Sequence, residues 1–406
     1  MAKHDPYAED TPEQAKYRKE LKKWLEKNLP PKPKFHLPMS FLEVDQADQV
    51  AYLQKWQNTL YKGGYLGLGV SEKYGGHGGE SWMQKVVNQE LARAKAPTIL
   101  NVIGIRMAMP TILSHGSEEQ KKKYIPGILS CDEIWCQGFS EPNAGSDLGS
   151  AQTFAEKRGD SWIINGHKIW TTQGQFAKWM ILLARTDKEA KKHAGLSYFL
   201  VPMQSEGIEV KPLTKMTRED SFNQTFFENV EIPAEQIVGK PGQGWMIAMT
   251  TLLHERGSGG SGDVGIHSAF EGRIRQTAAL AKSRKRGGKS MLDDPLVRDD
   301  LVKLAIETEA LRQHSTRAKI QKLQDYPMGI MSLSKLQQSE MMMRLGEVSI
   351  RVLGPDAWHW AESPGAFEYG DWELFFMNGY GPIIGGGTSE IQKNIIGERI
   401  LGMAKG

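Results

Sequence analysis

Cysteine is almost missing from this chain of 406 residues; Cys131 and Cys136 are the only two. That excludes a disulfide framework, and two thiols at this spacing supply no zinc site without histidines beside them. They read as buried, inert thiols of a reducing compartment, and no metal is expected. An excess of charge of one sign is missing too. The 51 Lys and Arg against 48 Asp and Glu leave a net charge of +3, too weak a field to argue for nucleic acid or a membrane surface as a partner. No stretch reaches the roughly 18 consecutive apolar residues of a spanning helix. The opening residues, MAKHDPYAEDTPEQAKYRKE, hold no apolar core and carry acids early, which predicts neither a secretory signal nor a mitochondrial transit peptide. With 39% hydrophobic and 24% charged residues, the composition is that of an ordinary globular enzyme, expected to be cytoplasmic.

What is present falls into three stretches, an α+β organisation. Residues 1–130 read as a helical domain, with amphipathic spacing over Glu13–Asn28, Asp45–Tyr61 and Trp82–Ala94. A further helix opens at Ser117 with the capping pattern Ser117-Glu118-Glu119-Gln120. Residues 131–240 change character: short β-branched runs such as Trp162–Gly166, Met180–Leu183, Leu196–Val201, Ile208–Val210 and Thr225–Val230 alternate with turn residues, as in an antiparallel β domain. Residues 241–406 return to helical periodicity over Gly244–Arg256, Ile266–Arg284, Pro295–Gln321 and Ser332–Leu353, which suggests a four-helix bundle.

Two glycine clusters need separate treatment. Gly257-Ser258-Gly259-Gly260-Ser261-Gly262 formally fits G-x-G-x-x-G, yet a helical run rather than a strand precedes it, so a dinucleotide fold is not expected there. Glycine is poorly suited to a helix, and a break or a close approach is the better reading. Gly385-Gly386-Gly387-Thr388-Ser389-Glu390-Ile391-Gln392 is a glycine turn followed by a capped helix, whose bare N–H groups suit an anion or a polarised carbonyl.

That last string resembles the C-terminal flavin and substrate loop of the acyl-CoA dehydrogenase family. Three more segments are similar to the family's motifs, in the same order: Ser140-Glu141-Pro142-Asn143-Ala144-Gly145-Ser146-Asp147, Asn165-Gly166-His167-Lys168-Ile169-Trp170-Thr171-Thr172, and Phe226-Phe227-Glu228-Asn229-Val230-Glu231-Ile232-Pro233. The resemblance implies FAD between the β domain and the C-terminal helices. Phe139 and Ser140 would flank the pyrimidine edge of the isoalloxazine, Trp170 would pack beside it, and Thr172 would offer its hydroxyl to N5. Thr388 and Glu390 belong to the same cofactor site, and Ser146 would meet the pantetheine of an acyl-CoA. Arg284, in the basic run Lys282–Lys289, would reach the pyrophosphate of a neighbouring subunit, with Arg351 serving the same region. There the chain departs from the pattern: Gly287 replaces a phenylalanine, and Gly354-Pro355 replaces a Gly-Gly pair.

The reaction the resemblance implies removes an α-proton from an acyl thioester while a β-hydride leaves for the flavin, which needs a carboxylate base. Many members place that glutamate just before the Gly-Thr of the C-terminal loop, where this chain has Gly386. Others place it on the first long helix after the β domain, ahead of an arginine, which here is Glu255 with Arg256. Glu255 is therefore the expected base, Arg256 its orienting neighbour, and the Gly386 N–H a donor to the thioester carbonyl. The implied partners are an acyl-CoA, an electron-transferring flavoprotein and further copies of the chain in a homotetramer or homodimer. An oxidase or monooxygenase on the same scaffold and a non-catalytic flavin-binding subunit are the alternatives.

Overall fold

The computed structural model describes residues 10–255, 266–317, 320 and 327–405, and these divide into two compact units, one through Glu255 and one from Ile266 onward.

The first unit opens with helices α1 (Pro12–Asn28), α2 (Ala47–Lys62), α3 (Ser81–Arg93), α4 (Met109–His115) and α5 (Glu118–Ser130). Each follows from local signals. Thr11 and Gln14 form a reciprocal capping box ahead of α1, as Ser117 and Gln120 do ahead of α5. Leu21 and Leu25 of α1 are buried with Trp56 and Leu60 of α2 and Val86 and Val87 of α3. The glycine loop after α2 is needed sterically: a Cβ on Gly76 would lie 2.0 Å from the Val70 carbonyl oxygen. Immediately before α4 the chain makes a π-helical turn, Gly104–Ala108.

An eight-stranded sheet follows, with strands β1 (Trp135–Gly138), β2 (Phe154–Arg158), β3 (Ser161–Thr172), β4 (Trp179–Arg185), β5 (Leu196–Pro202), β6 (Ile208–Leu213), β7 (Phe222–Pro233) and β8 (Ile237–Val238). Its order is β6-β7-β3-β2-β4-β5-β8, with β1 also on β4. Most pairs are antiparallel, as the short connections dictate. Parallel pairing occurs where β1 and the start of β2 meet β4. Helix α6 (Gly244–Glu255) packs back on β5 and α4, so Ile247 and Ala248 share a core with Ile112, Tyr124, Ile181 and Tyr198. Although periodicity groups this segment with the later helices, its contacts put it in the first unit.

The second unit holds α7 (Ile266–Ser283), the hairpin β9 (Lys285–Arg286) and β10 (Lys289–Ser290), then α8 (Pro295–Arg317), α9 (Pro327–Leu353), α10 (Asp371–Asn378), α11 (Gly381–Ile384) and α12 (Ser389–Asn394). The basic run is thus a tight hairpin, turned by Gly287 and Gly288 at φ 58° and 81°, as a two-residue turn with left-handed backbone requires. Leu280, Leu304, Leu311, Met341, Leu345 and Trp372 centre the core of α7–α10. Among the described residues no helix is long and apolar enough to cross a membrane, and no group of His, Cys, Asp and Glu could hold a metal ion.

Candidate active site

In the first unit the loop after β1 is fixed from beneath by a buried charge pair. Glu141 and Ala144 exchange two backbone hydrogen bonds, closing a tight turn. The Glu141 carboxylate accepts from the backbone N–H of Gln152 at 2.6 Å and of Thr153 at 2.8 Å, and from Lys168 Nζ at 2.8 Å. Lys168 is fully buried in β3 and donates also to the Phe139 carbonyl at 2.9 Å, while the Ile169 N–H donates to the Ser140 carbonyl. Phe139 and Ser140 are therefore tied to β3 at two consecutive residues. Burial alone would raise the Glu141 pKa, but the Lys168 charge and the backbone donors outweigh it and hold the carboxyl below its ordinary range. Burial pulls Lys168 down to about 8, against the attraction of Glu141. Both groups lay inside the quoted motifs, and a lysine at a core-facing strand position was the signal for the pair.

Trp170 follows two residues later. The β3–β7 register shifts between Lys168 and Thr171, so Ile169 and Trp170 form a bulge. Trp170 has φ 61° and is 54% exposed, with its ring edge-on to Phe222 at 5.9 Å. An indole left largely in water on left-handed backbone costs free energy twice, which points to function rather than packing. Thr172 is buried, and Gln173, also left-handed at φ 56°, pins the strand end by donating to the Phe41 carbonyl at 2.9 Å. Phe139 is buried edge-on to Tyr198, Ser140 is half-buried, and Ser146 is exposed in its loop.

Glu255 is the last residue of α6 and is exposed. One turn earlier, Thr251 is buried and bonded to Thr111 of α4 at 2.8 Å and to Tyr198 of β5 at 3.0 Å. His115 of α4 meets Thr250 at 2.8 Å. These bridges fix the helix end that presents the carboxylate. Arg256 and the glycine run 257–262 lie outside the described residues.

In the second unit Thr388 caps α12 by accepting from the Ile391 N–H at 3.2 Å. Gly386 and Gly387 have φ 66° and 89°. Their carbonyls are taken up: Gly386 accepts from Gln392 Nε2 at 3.1 Å and Gly387 from Lys335 Nζ at 2.5 Å. The Gly386 N–H makes no hydrogen bond among the described residues. Glu390 is exposed on the first turn, where its own backbone N–H and the Thr388 hydroxyl hold its pKa down.

The two cations assigned to cofactor phosphates are differently placed. Arg284 pairs with Asp356 at 2.5 Å and its guanidinium lies over the Phe367 ring, while Arg351 pairs with Asp300. The donor set for a flavin thus fits in part. The exposed Trp170 bulge suits a planar ring, and the open N–H beside α12 suits a polarised oxygen. Arg284 and Arg351, expected from the sequence to meet cofactor phosphates, are each already paired with a carboxylate.

The whole chain finds counterparts among known proteins. It matches the family descriptions "Acyl-CoA dehydrogenase, N-terminal domain" over residues 11–132, "Acyl-CoA dehydrogenase, middle domain" over 136–230 and "Acyl-CoA dehydrogenase, C-terminal domain" over 242–401. It is 35% identical over 403 residues to "Acyl-CoA dehydrogenase IpdE1" of Mycolicibacterium smegmatis, covering 96% of this chain and 97% of that one. Among solved structures, "Tcur3481-Tcur3483 steroid ACAD" matches with a TM-score of 0.81 at 29% identity, covering 98% of this chain and 99% of the other. The ChsE4-ChsE5 complex from Mycobacterium tuberculosis matches with a TM-score of 0.80 at 29% identity and the same coverage.

Proposed function

Since the chain belongs to the acyl-CoA dehydrogenase family, we propose that it desaturates the α,β bond of an acyl-CoA with FAD as cofactor, Glu255 as the base and an electron-transferring flavoprotein as acceptor. The observation that carries this is the exchange of glutamate between two positions: the C-terminal loop has Gly386, and the buttressed end of α6 has Glu255. FAD, when bound, supplies the hydride acceptor. Trp170 and Phe139 orient its ring system, and Thr172 contributes a hydroxyl. Glu255 takes the α-proton on its carboxylate, and the Gly386 N–H donates to the thioester oxygen, where a preorganised donor favours the charge that develops as the proton leaves. Ser146 and Arg256 serve the substrate.

The test is anaerobic mixing of purified holoprotein with a panel of acyl-CoAs, following flavin absorption. Bleaching by one class that falls at least about 100-fold in rate in Glu255→Gln supports the reading. Bleaching undiminished in that variant overturns Glu255 as base. Rapid reoxidation by oxygen in place of a flavoprotein acceptor would shift the activity to an oxidase.

A second reading concerns assembly. Arg284 and Arg351 are engaged by Asp356 and Asp300, and Pro355 lacks the N–H of a glycine, so this chain is poorly equipped to hold a neighbour's pyrophosphate. A hetero-oligomer in which a different chain supplies that half accounts for this, and two structural relatives are named as pairs of proteins. A homotetramer with one FAD per chain would refute it.

A further inference from the structure

The first unit has six arginines, and five are engaged. Arg18 pairs with Asp10 and Glu90, Arg93 with Glu90, Arg158 with Glu156, Arg185 with the carbonyls of Ala151 and Gly149, and Arg218 also has a partner. The Arg106 side chain makes no hydrogen bond or ion pair among the described residues. It keeps solvent-exposed surface, yet its surroundings are crowded enough that desolvation lowers its pKa, with no carboxylate to offset the effect. An unpaired guanidinium in such a place is free to pair with an oxygen-bearing ligand.

Its setting is built rather than incidental. Arg106 is the middle residue of the π-helical turn Gly104–Ala108, and such an inserted residue re-aims side chains, often at functional sites. A Cβ on Gly104 would meet the Asn101 side chain at 2.5 Å. On either side of the arginine, Ile103, Met107 and Ala108 are buried in one core with Ile247 and Ala248 of α6, and the turn packs directly on α6. Thr111 is bonded to the Met107 carbonyl at 2.7 Å and to Thr251 of α6, and further along α4 His115 meets Thr250. The Arg106 turn therefore packs on the same helix, α6, whose last residue is Glu255. An unpaired cation thus stands on a turn packed against the helix that carries the carboxylate assigned to the α-carbon.

We propose that Arg106 is a specificity residue for the acyl group, pairing with an acceptor oxygen that the acyl chain carries away from its thioester, a second carboxylate or a keto group. The preferred substrate is then an oxygen-bearing acyl-CoA rather than a plain hydrocarbon one. The guanidinium fork suits a carboxylate in two bonds and a ketone in one. This rests on the reading of α6 as the reacting end of the substrate site.

The experiment uses holoprotein and length-matched CoA thioesters of three kinds: a hydrocarbon acyl group, one ending in a carboxylate and one bearing a remote ketone. The wild type is expected to prefer an oxygen-bearing thioester in kcat/KM. Arg106→Met should lower that value about 10- to 100-fold for the preferred class while leaving the hydrocarbon within about threefold, and Arg106→Lys should recover part of the loss for the carboxylate. The carboxylate and ketone arms say which oxygen is recognised. An equal fall for all three classes, or a wild-type preference for the hydrocarbon, overturns the assignment. If no thioester bleaches the flavin, the dehydrogenase reading fails separately. Calorimetric binding of the same thioesters to wild type and Arg106→Met then decides the role of Arg106, and equal affinities reject it.

Discussion

The Lys168 ammonium lies 2.8 Å from the Glu141 carboxylate, with Lys168 fully buried and Glu141 nearly so. One pair thereby fastens the loop that carries Phe139 and Ser140 to the strand that carries Trp170 and Thr172. Removing one partner strands the other charge in the interior, which typically costs about 3–5 kcal/mol. Lys168→Met and Glu141→Gln should each destabilise by that order, while the double variant should lose clearly less than the sum. A double-mutant cycle from urea unfolding checks this, and additivity would show that the pair is not coupled.

Glu43 gives a pH signature. Its carboxyl is buried and accepts from the N–H groups of Met39 and Ser40. Burial first, then the nearby Glu219 charge, raises its pKa from 4.5 to about 7. The folded state therefore holds a proton that the unfolded chain has released between those values. Its contribution to stability is complete below pH 4.5 and lost as pH rises through 7. Glu43→Gln should stabilise the protein at pH 7.5 by on the order of 2 kcal/mol relative to wild type and by little at pH 4.5. Unfolding at both pH values reads the difference, and a gain that does not change with pH would contradict the assignment.

Trp170 separates stability from cofactor retention. Its side chain is exposed and its backbone left-handed, so Trp170→Gly removes strain and little packing. Thermal stability of the apoprotein should move by less than about 1 kcal/mol. Flavin affinity should fall roughly tenfold or more if the ring rests on the indole, since aromatic stacking is worth about 1 kcal/mol or more. The ratio of visible to ultraviolet absorbance after gel filtration measures the loss.

Asp356 provides a gain-of-function test. Its pairing with Arg284 is partly exposed, so the pair is worth at most about 1 kcal/mol to the fold. Asp356→Asn should leave unfolding nearly unchanged while freeing the guanidinium. If this chain holds a phosphate there, FAD should bind several-fold tighter in an equilibrium titration of apoprotein. Unaltered affinity would favour a second kind of chain as the phosphate donor.

Patterns of period and punctuation made most of the architecture legible. The capping box at Ser117, the β-branched run at Leu196–Val201 and the turn glycines at 287 and 288 each write local chemistry directly into the chain. What escaped was decided by distant partners. The placement of α6 depends on Thr251 meeting Thr111 and Tyr198, residues remote in the chain. The short strands β1 and β2 carry too few residues to show a period. At the candidate site the residue types were visible, but the Lys168–Glu141 contact, the left-handed Trp170 and the neutralised Arg284 arise only when strands and loops meet.

The two-residue strand Ile237–Val238 has a consequence for synthesis. It alone covers the outer edge of β5, whose residues Leu196–Val201 are all buried in the finished sheet. Roughly 35 residues separate the end of β5 from its cover, which at about 5–20 residues per second is some seconds of elongation. During that interval a nascent chain carries an apolar strand with an open edge, the template on which edge-to-edge aggregation begins. Ribosome-bound chains halted after β5 has left the exit tunnel but before Val238 has done so are therefore the ones that holdase chaperones should capture most strongly, and capture should decline once Val238 has cleared the tunnel.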